Sequence, residues 1–166
     1  RDYYASRGLG DVYKRQVLSE ILRKSCDVPA EKISDAVAAM KRERPNSHDS
    51  SAAVLATKGT LATGLYEQAL AAQNVRCLIP DAGEQDVLMH LIYDIVKASR
   101  PLAPEEGTWQ RLLDALRARG ADYFILGCTE LPIIADALPQ PGPFVDPTAE
   151  LAKAAIRICG YKVKGE

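Results

Sequence analysis

Cys128 stands in the stretch Ala-Asp-Tyr-Phe-Ile-Leu-Gly-Cys-Thr-Glu-Leu-Pro, residues 121–132. A thiol can serve as nucleophile, acid or base once its pKa, about 8.5 when free, is brought near neutrality. Asp122 to Leu126 has the bulky apolar pattern of a strand buried on both faces. Gly127 breaks that strand, and Thr129-Glu130 opens a helix whose apolar positions include Ile133, Ile134 and Ala137. Cys128 is therefore expected at the carboxyl end of a strand and in the first turn of a helix. That is the edge where open α/β sheets bind ligands. Free backbone N–H groups and the positive end of the helix dipole favour an anion there, and a thiolate as well. The alternative is a structural cysteine packed into the core.

A second strand–loop–helix edge carries Thr57-Lys58-Gly59-Thr60 between a strand over Ala52–Ala56 and a helix over Leu61–Gln73. Small hydroxyl residues and a glycine in such a turn can hold a carboxylate or a phosphate. The spacing fits neither a P-loop nor a Gly-x-Gly-x-x-Gly fingerprint, and an ordinary helix cap at Thr60 explains the same residues. Lys97 falls with His90 and Tyr93 on the polar side of a long helix. Periodicity makes all three solvated; a cleft on that side makes them ligand contacts.

The elements that position these residues follow from the patterning. Val75 to Ile79 reads as a strand with Cys77 in its core, and Pro80 ends it. Asp81 caps a helix from Ala82 to about Ser99 with a stripe of Val87, Leu88, Leu91, Ile92, Ile95 and Val96. Pro104-Glu105-Glu106 starts another, with Trp109, Leu112, Leu113 and Leu116 inward and Gly120 at its end. Residues 139–143 make a rigid connection, Phe144-Val145 a short strand, and Asp146-Pro147 caps a last helix to about Cys159. From Ala52 the order β-α-β-α-α-β-α-β-α predicts an α/β fold, a mostly parallel sheet flanked by helices. Upstream, helices are expected over Val17–Lys24 and Ala30–Met40, then a polar joint over Lys41–Ser51 in which His48 is solvated.

Composition narrows the function. A net charge of −1 across 166 residues gives no basic excess for nucleic acid. No apolar run approaches the ~20 residues of a membrane span. The four cysteines are widely spaced with no Cys-x-x-Cys pair, and there are two histidines. That pattern argues against zinc and fits reduced thiols in a cytoplasmic protein.

Taken together, Val54-Leu55-Ala56-Thr57-Lys58-Gly59-Thr60, Tyr66, Gln85, Ile92-Tyr93, Val96-Lys97, Gly127-Cys128-Thr129-Glu130 and Val145-Asp146-Pro147 resemble the aspartate/glutamate racemase family. Glu130 stands where the wall-synthesis glutamate racemases carry His, so the aspartate racemase branch is the better fit. The resemblance implies one lobe of a two-lobed, pseudo-symmetric fold and a small amino-acid substrate. It implies neither pyridoxal phosphate nor a metal, and a homodimer for the full-length protein. It also implies a cysteine on each side of the α-carbon, one removing a proton and one returning it. Cys128 matches the second of that pair. Thr57, Lys58, Gly59, Thr60 and Thr129 match positions near the α-carboxylate, Glu130 one that poises the site, and Lys97 a lysine near a side-chain carboxylate. Hydantoin racemases and maleate isomerases reuse the same paired cysteines, and a non-catalytic small-ligand-binding domain is the alternative of a different class.

The departures from the family pattern set further expectations. The first-lobe Cys-Asn-Thr motif and an arginine expected upstream are not found, and Ser25-Cys26-Asp27 does not replace them. Residues 1–16 have no periodicity and resemble translated sequencing-adapter DNA, hence a non-native tail. Residues 17–50 are then a remnant of the first lobe and its connecting helix, and 51–142 the second lobe. Residues 143–166 form a strand and helix that return to the first lobe, leaving Leu151, Ala155, Ile156 and Ile158 under-packed. Such a fragment is expected to be inactive alone.

Overall fold

The structure is a computed structural model that describes residues 50–138 and 143–163. The expectations for residues 1–49, including both upstream helices, and for the connection over 139–142 lie outside the described residues.

Four parallel strands form one sheet in the order β2-β1-β3-β4. They are β1 (Ser51–Leu55), β2 (Arg76–Leu78), β3 (Tyr123–Leu126) and β4 (Phe144–Val145). β1 pairs with β3 from Ala52↔Tyr123 to Leu55↔Leu126, so the loops after these two strands leave the sheet side by side. Every residue of β1 and β3 is buried, as expected for strands covered on both faces.

Alternation along the strands divides the core. On one face Ala53, Leu55, Phe124 and Leu126 pack with α3 (Ala82–Met89), α4 (Glu106–Ala118) and α5 (Leu131–Ala137). Leu88, Leu91, Ile92 and Ile95 supply the stripe of the long helix, and Trp109, Leu112, Leu113 and Leu116 that of α4. Trp109 is fully buried and stacks on Phe144 with ring centroids 6.3 Å apart. On the other face Ala52, Val54, Ala56, Tyr123 and Ile125 pack with Leu70, Leu61 and Tyr66. Fully burying a side chain such as Leu113 or Ile125 contributes about 1.5–3 kcal/mol. Cys77 packs only partly against this second cluster.

The helices depart from the simplest reading of the pattern in three places. The segment after the Thr57 loop is two helices, α1 (Lys58–Ala62) and α2 (Leu65–Ala71), because Gly64 takes a left-handed φ of 65° between them. Beyond α3, which starts with a capping box between Asp81 and Glu84, residues His90–Val96 continue as a π-helix. Lys97 N–H accordingly donates to Ile92 O, five residues back, at 3.0 Å. α5 begins at Leu131 and buries Leu131 and Ile134, while Ile133 and Ala137 face solvent. The last helix, α6, spans Pro147–Ile158. Ile156 on it is exposed, and the Leu151, Ala155 and Ile158 side chains lie outside the described residues. No helix among the described residues is long and apolar enough to cross a membrane.

Candidate active site

The carboxyl edges of β1 and β3 bring the two candidate loops together. Gly127 N–H donates to Leu55 O at 2.8 Å, stitching the residue before Cys128 to the last residue of β1. A Cβ on Gly127 would lie 3.0 Å from Ala56 Cβ, 3.2 Å from Leu55 O and 3.3 Å from Tyr66 Cε2. Glycine is what lets the two loops approach this closely. Buried Gln85 fixes the other side, its Nε2 donating to Ala56 O at 2.8 Å. Gln85 was quoted above only within a motif; its role is to anchor the carbonyl that precedes the Thr57 loop.

Cys128 is partly buried and its thiol donates to Glu130 Oε2 at 2.7 Å. Thr129 Oγ1 donates to the same oxygen at 3.2 Å. The other oxygen, Oε1, lies 3.6 Å from Lys97 Nζ. Lys97 Nζ also sits 4.3 Å from the Tyr93 ring centroid. The π-helix explains why Lys97 is here. Residues in it turn through less than the ~100° of an α-helix, so a lysine placed on the polar side by α-helical counting comes round towards Glu130.

The electrostatics correct one expectation. The Cys128 thiol is held above its ordinary value, first by burial and next by its hydrogen bond to Glu130, with Lys97 pulling the other way. Glu130 is held below its ordinary value, first by the hydrogen bond from Cys128 and more weakly by Lys97. The resting pair is therefore a thiol and a carboxylate, not a helix-stabilised thiolate. The physical reason is local: α5 starts three residues beyond Cys128 and is a seven-residue helix, while a carboxylate sits on the sulfur.

The Thr57 loop is arranged as a cap. Thr57 Oγ1 accepts from Thr60 N–H at 3.3 Å and lies 3.0 Å from Thr60 Oγ1. So Thr57, not Thr60, caps the helix that follows. Whichever hydroxyl donates to the other, one hydroxyl hydrogen of the pair is left for a ligand. Gly59 is exposed between them. Lys58 points elsewhere: its Nζ pairs with Asp86 at 2.8 Å in an exposed ion pair. His90 bonds Asp94 at 2.9 Å and lies 3.8 Å from Glu105. Of the residues singled out from the sequence, Cys128, Thr129, Glu130 and Lys97 thus form one connected group, Thr57 and Thr60 a second on the neighbouring strand, and Lys58 neither.

Tyr66 lies close to the thiol, and Asp146 acts on Tyr66. Tyr66, on α2, has its ring against Gly127. Its phenol is held above the ordinary value by burial first, then by the charges of Asp146 and Cys128. Asp146, after β4, caps α6 by accepting from Thr148 N–H at 2.8 Å. Among the described residues, no group of three or more His, Cys, Asp or Glu could hold a metal ion. A hollow of about 450 Å³ lies at the opposite, amino-terminal edge, lined by Ser50, Ser51, Asn74, Arg76, Gly120 and Asp122.

Residues 15–155 match the Asp/Glu/Hydantoin racemase family. The chain belongs to this family. An uncharacterised protein from the pnlA 3′ region of Pectobacterium carotovorum is 36% identical over 110 residues, covering 62% of this chain and 69% of that protein. The glutamate racemase of Desulforudis audaxviator is 30% identical over 107 residues, 61% of this chain and 37% of the relative. Among solved structures, the aspartate racemase of Picrophilus torridus superposes with a TM-score of 0.59 at 27% identity. It covers 80% of this chain and 53% of that one. The chain thus spans about half the length of the racemase structure it matches.

Proposed function

We propose that this chain carries the Cys128 half of a cofactor-independent racemase acting on an acidic amino acid, aspartate or glutamate. The observation that supports the reading most directly is the Cys128 thiol hydrogen-bonded to Glu130 at a sheet edge, with Lys97 beside the same carboxylate. Inverting an α-carbon needs an acid on one face and a base on the other. On this reading the Cys128 thiol gives its proton to the planar α-carbon, becoming a thiolate. In the reverse direction the thiolate, formed by passing the proton to Glu130, removes the α-proton. The rise in thiol pKa keeps the proton on sulfur at rest, ready for the donating direction, and makes the thiolate the stronger base in the other.

Lys97 favours an acidic side chain over a hydantoin ring, because a carboxylate entering beside Glu130 would find an ammonium group within reach. The hydroxyl left over by the Thr57–Thr60 pair would meet the α-carboxylate. The second proton-transfer residue would come from another lobe, with the full-length protein working as a cytoplasmic homodimer. The 166-residue chain would be inactive by itself.

Deuterium incorporation at the α-carbon tests this. A protein in which this chain follows a lobe carrying the Cys-Asn-Thr motif should exchange the α-hydrogen of aspartate or glutamate in D2O. Cys128→Ala should abolish racemisation. Racemisation untouched by that substitution would remove Cys128 from the reaction, and racemisation by the chain alone would end the requirement for a second lobe.

A further inference from the structure

The groups expected to hold a carboxylate beside Cys128 are largely engaged already. Lys58 is tied to Asp86, Thr129 donates to Glu130, and the Thr57–Thr60 pair retains one hydroxyl hydrogen. A different donor stands on the β1 side of the thiol. Tyr66 reaches the sheet edge from α2, its ring lying where the backbone of Gly127 leaves room and packing against the cluster of Ala52, Val54 and Ala56. The ring is thereby fixed. Its hydroxyl makes no hydrogen bond among the described residues, and the residue is only partly buried. A rigid, unengaged phenol next to a reactive thiol is a donor without an acceptor, and the missing acceptor would be an anion.

We propose that Tyr66 is a substrate-binding residue, its hydroxyl donating to the carboxylate attached to the carbon that Cys128 addresses. The contact rests on the reading of Cys128 as the reactive group, and adds a residue which that reading does not need. Lys97 stands beside the Glu130 carboxylate and Tyr66 against Gly127, so each is assigned one end of a dicarboxylate: the ammonium takes the distal carboxylate and the phenol the proximal one. As the α-proton leaves, negative charge moves onto the proximal carboxylate, and a fixed donor there stabilises it. The phenol stays protonated throughout, because burial and the neighbouring Asp146 and Cys128 charges oppose its ionisation.

Protection of Cys128 from iodoacetamide, read at its own peptide by mass spectrometry, tests the contact in the 166-residue chain. Succinate and L-aspartate are the probes, and Tyr66→Phe keeps the ring against Gly127 while removing the hydroxyl. The expected result is slowed alkylation with either probe in the parent chain, and about tenfold more probe needed for the same protection in Tyr66→Phe. Alkylation without probe, and the melting temperature, should be the same in both. Equal protection of the two proteins would overturn the role of Tyr66 and leave the site standing. No protection in the parent chain would overturn the carboxylate site on this side of the thiol, Tyr66 included, while the racemase reading stands or falls on deuterium exchange in the two-lobed protein.

Discussion

The thiol of Cys128 donates a hydrogen bond to the carboxylate of Glu130 across 2.7 Å, with one residue between them in the chain. Lys97 touches the far oxygen of the same carboxylate. Three side chains from two elements therefore decide together where one proton rests.

Replacing members of this trio should move the thiol in opposite directions. Glu130→Gln removes both the hydrogen-bonded carboxylate and its negative charge, each of which raises the Cys128 pKa. Cys128 should then be alkylated faster at pH 7, by about tenfold for each unit the pKa falls. Lys97→Met removes a charge that lowers it, so alkylation should slow. Rates of iodoacetamide modification against pH decide this. Identical profiles for both variants would show that the trio does not set the proton.

Glu130 also ties stability to pH. Its folded-state carboxyl titrates below the unfolded one, so its contribution is complete above the unfolded value of about 4.3. It is lost as pH falls through the lower folded value. Urea unfolding between pH 3 and pH 7 should show Glu130→Gln losing part of the acid dependence of the parent chain. Parallel curves would contradict the assignment.

Gly127→Ala should destabilise the fold by about 1–3 kcal/mol, the ordinary cost of overpacking. The added methyl would meet Ala56 Cβ at 3.0 Å and Leu55 O at 3.2 Å, neither of which can swing away. Chemical denaturation measures it, and an unchanged midpoint would mean the two loops are looser than their contacts indicate.

Much of this arrangement was legible in the sequence because it follows a fixed period. The apolar runs of Ala52–Leu55 and Tyr123–Leu126, and the stripe of Trp109, Leu112, Leu113 and Leu116, lie where alternation and helical spacing put them. What escaped depends on local exceptions to those periods. Lys97 is aimed by a π-helix, whose winding no α-helical wheel represents. The helix after Thr60 breaks at Gly64, where a left-handed residue is cheap only without a side chain. The acidity of Cys128 depends first on burial and next on a neighbour two residues away, since helix-dipole reasoning counts backbone charge and neither desolvation nor the glutamate that reaches back over the sulfur. Tyr66 stood in the quoted motif, but only packing against Gly127 shows which way it faces.

Gln85 offers a last check on how the loops are held. Its Nε2 bonds Ala56 O inside the protein, while its Oε1 finds no partner among the described residues. Gln85→Ala should cost about 1–3 kcal/mol, since a buried carbonyl loses its donor. Hydrogen exchange at Thr60 N–H should accelerate with it. A stability loss without faster exchange would confine Gln85 to the core.

The switch of winding at His90 divides one long rod into two parts that can be adjusted separately. Its beginning is pinned by the Asp81–Glu84 box and keeps Gln85 on the Ala56 carbonyl, whatever happens further along. Its end sets the direction of a single ammonium group. Removing one residue between Leu91 and Val96 would restore uniform coiling and swing that charge away from Glu130, leaving the upstream anchor untouched. The aim of that ammonium can therefore change without rebuilding the sheet.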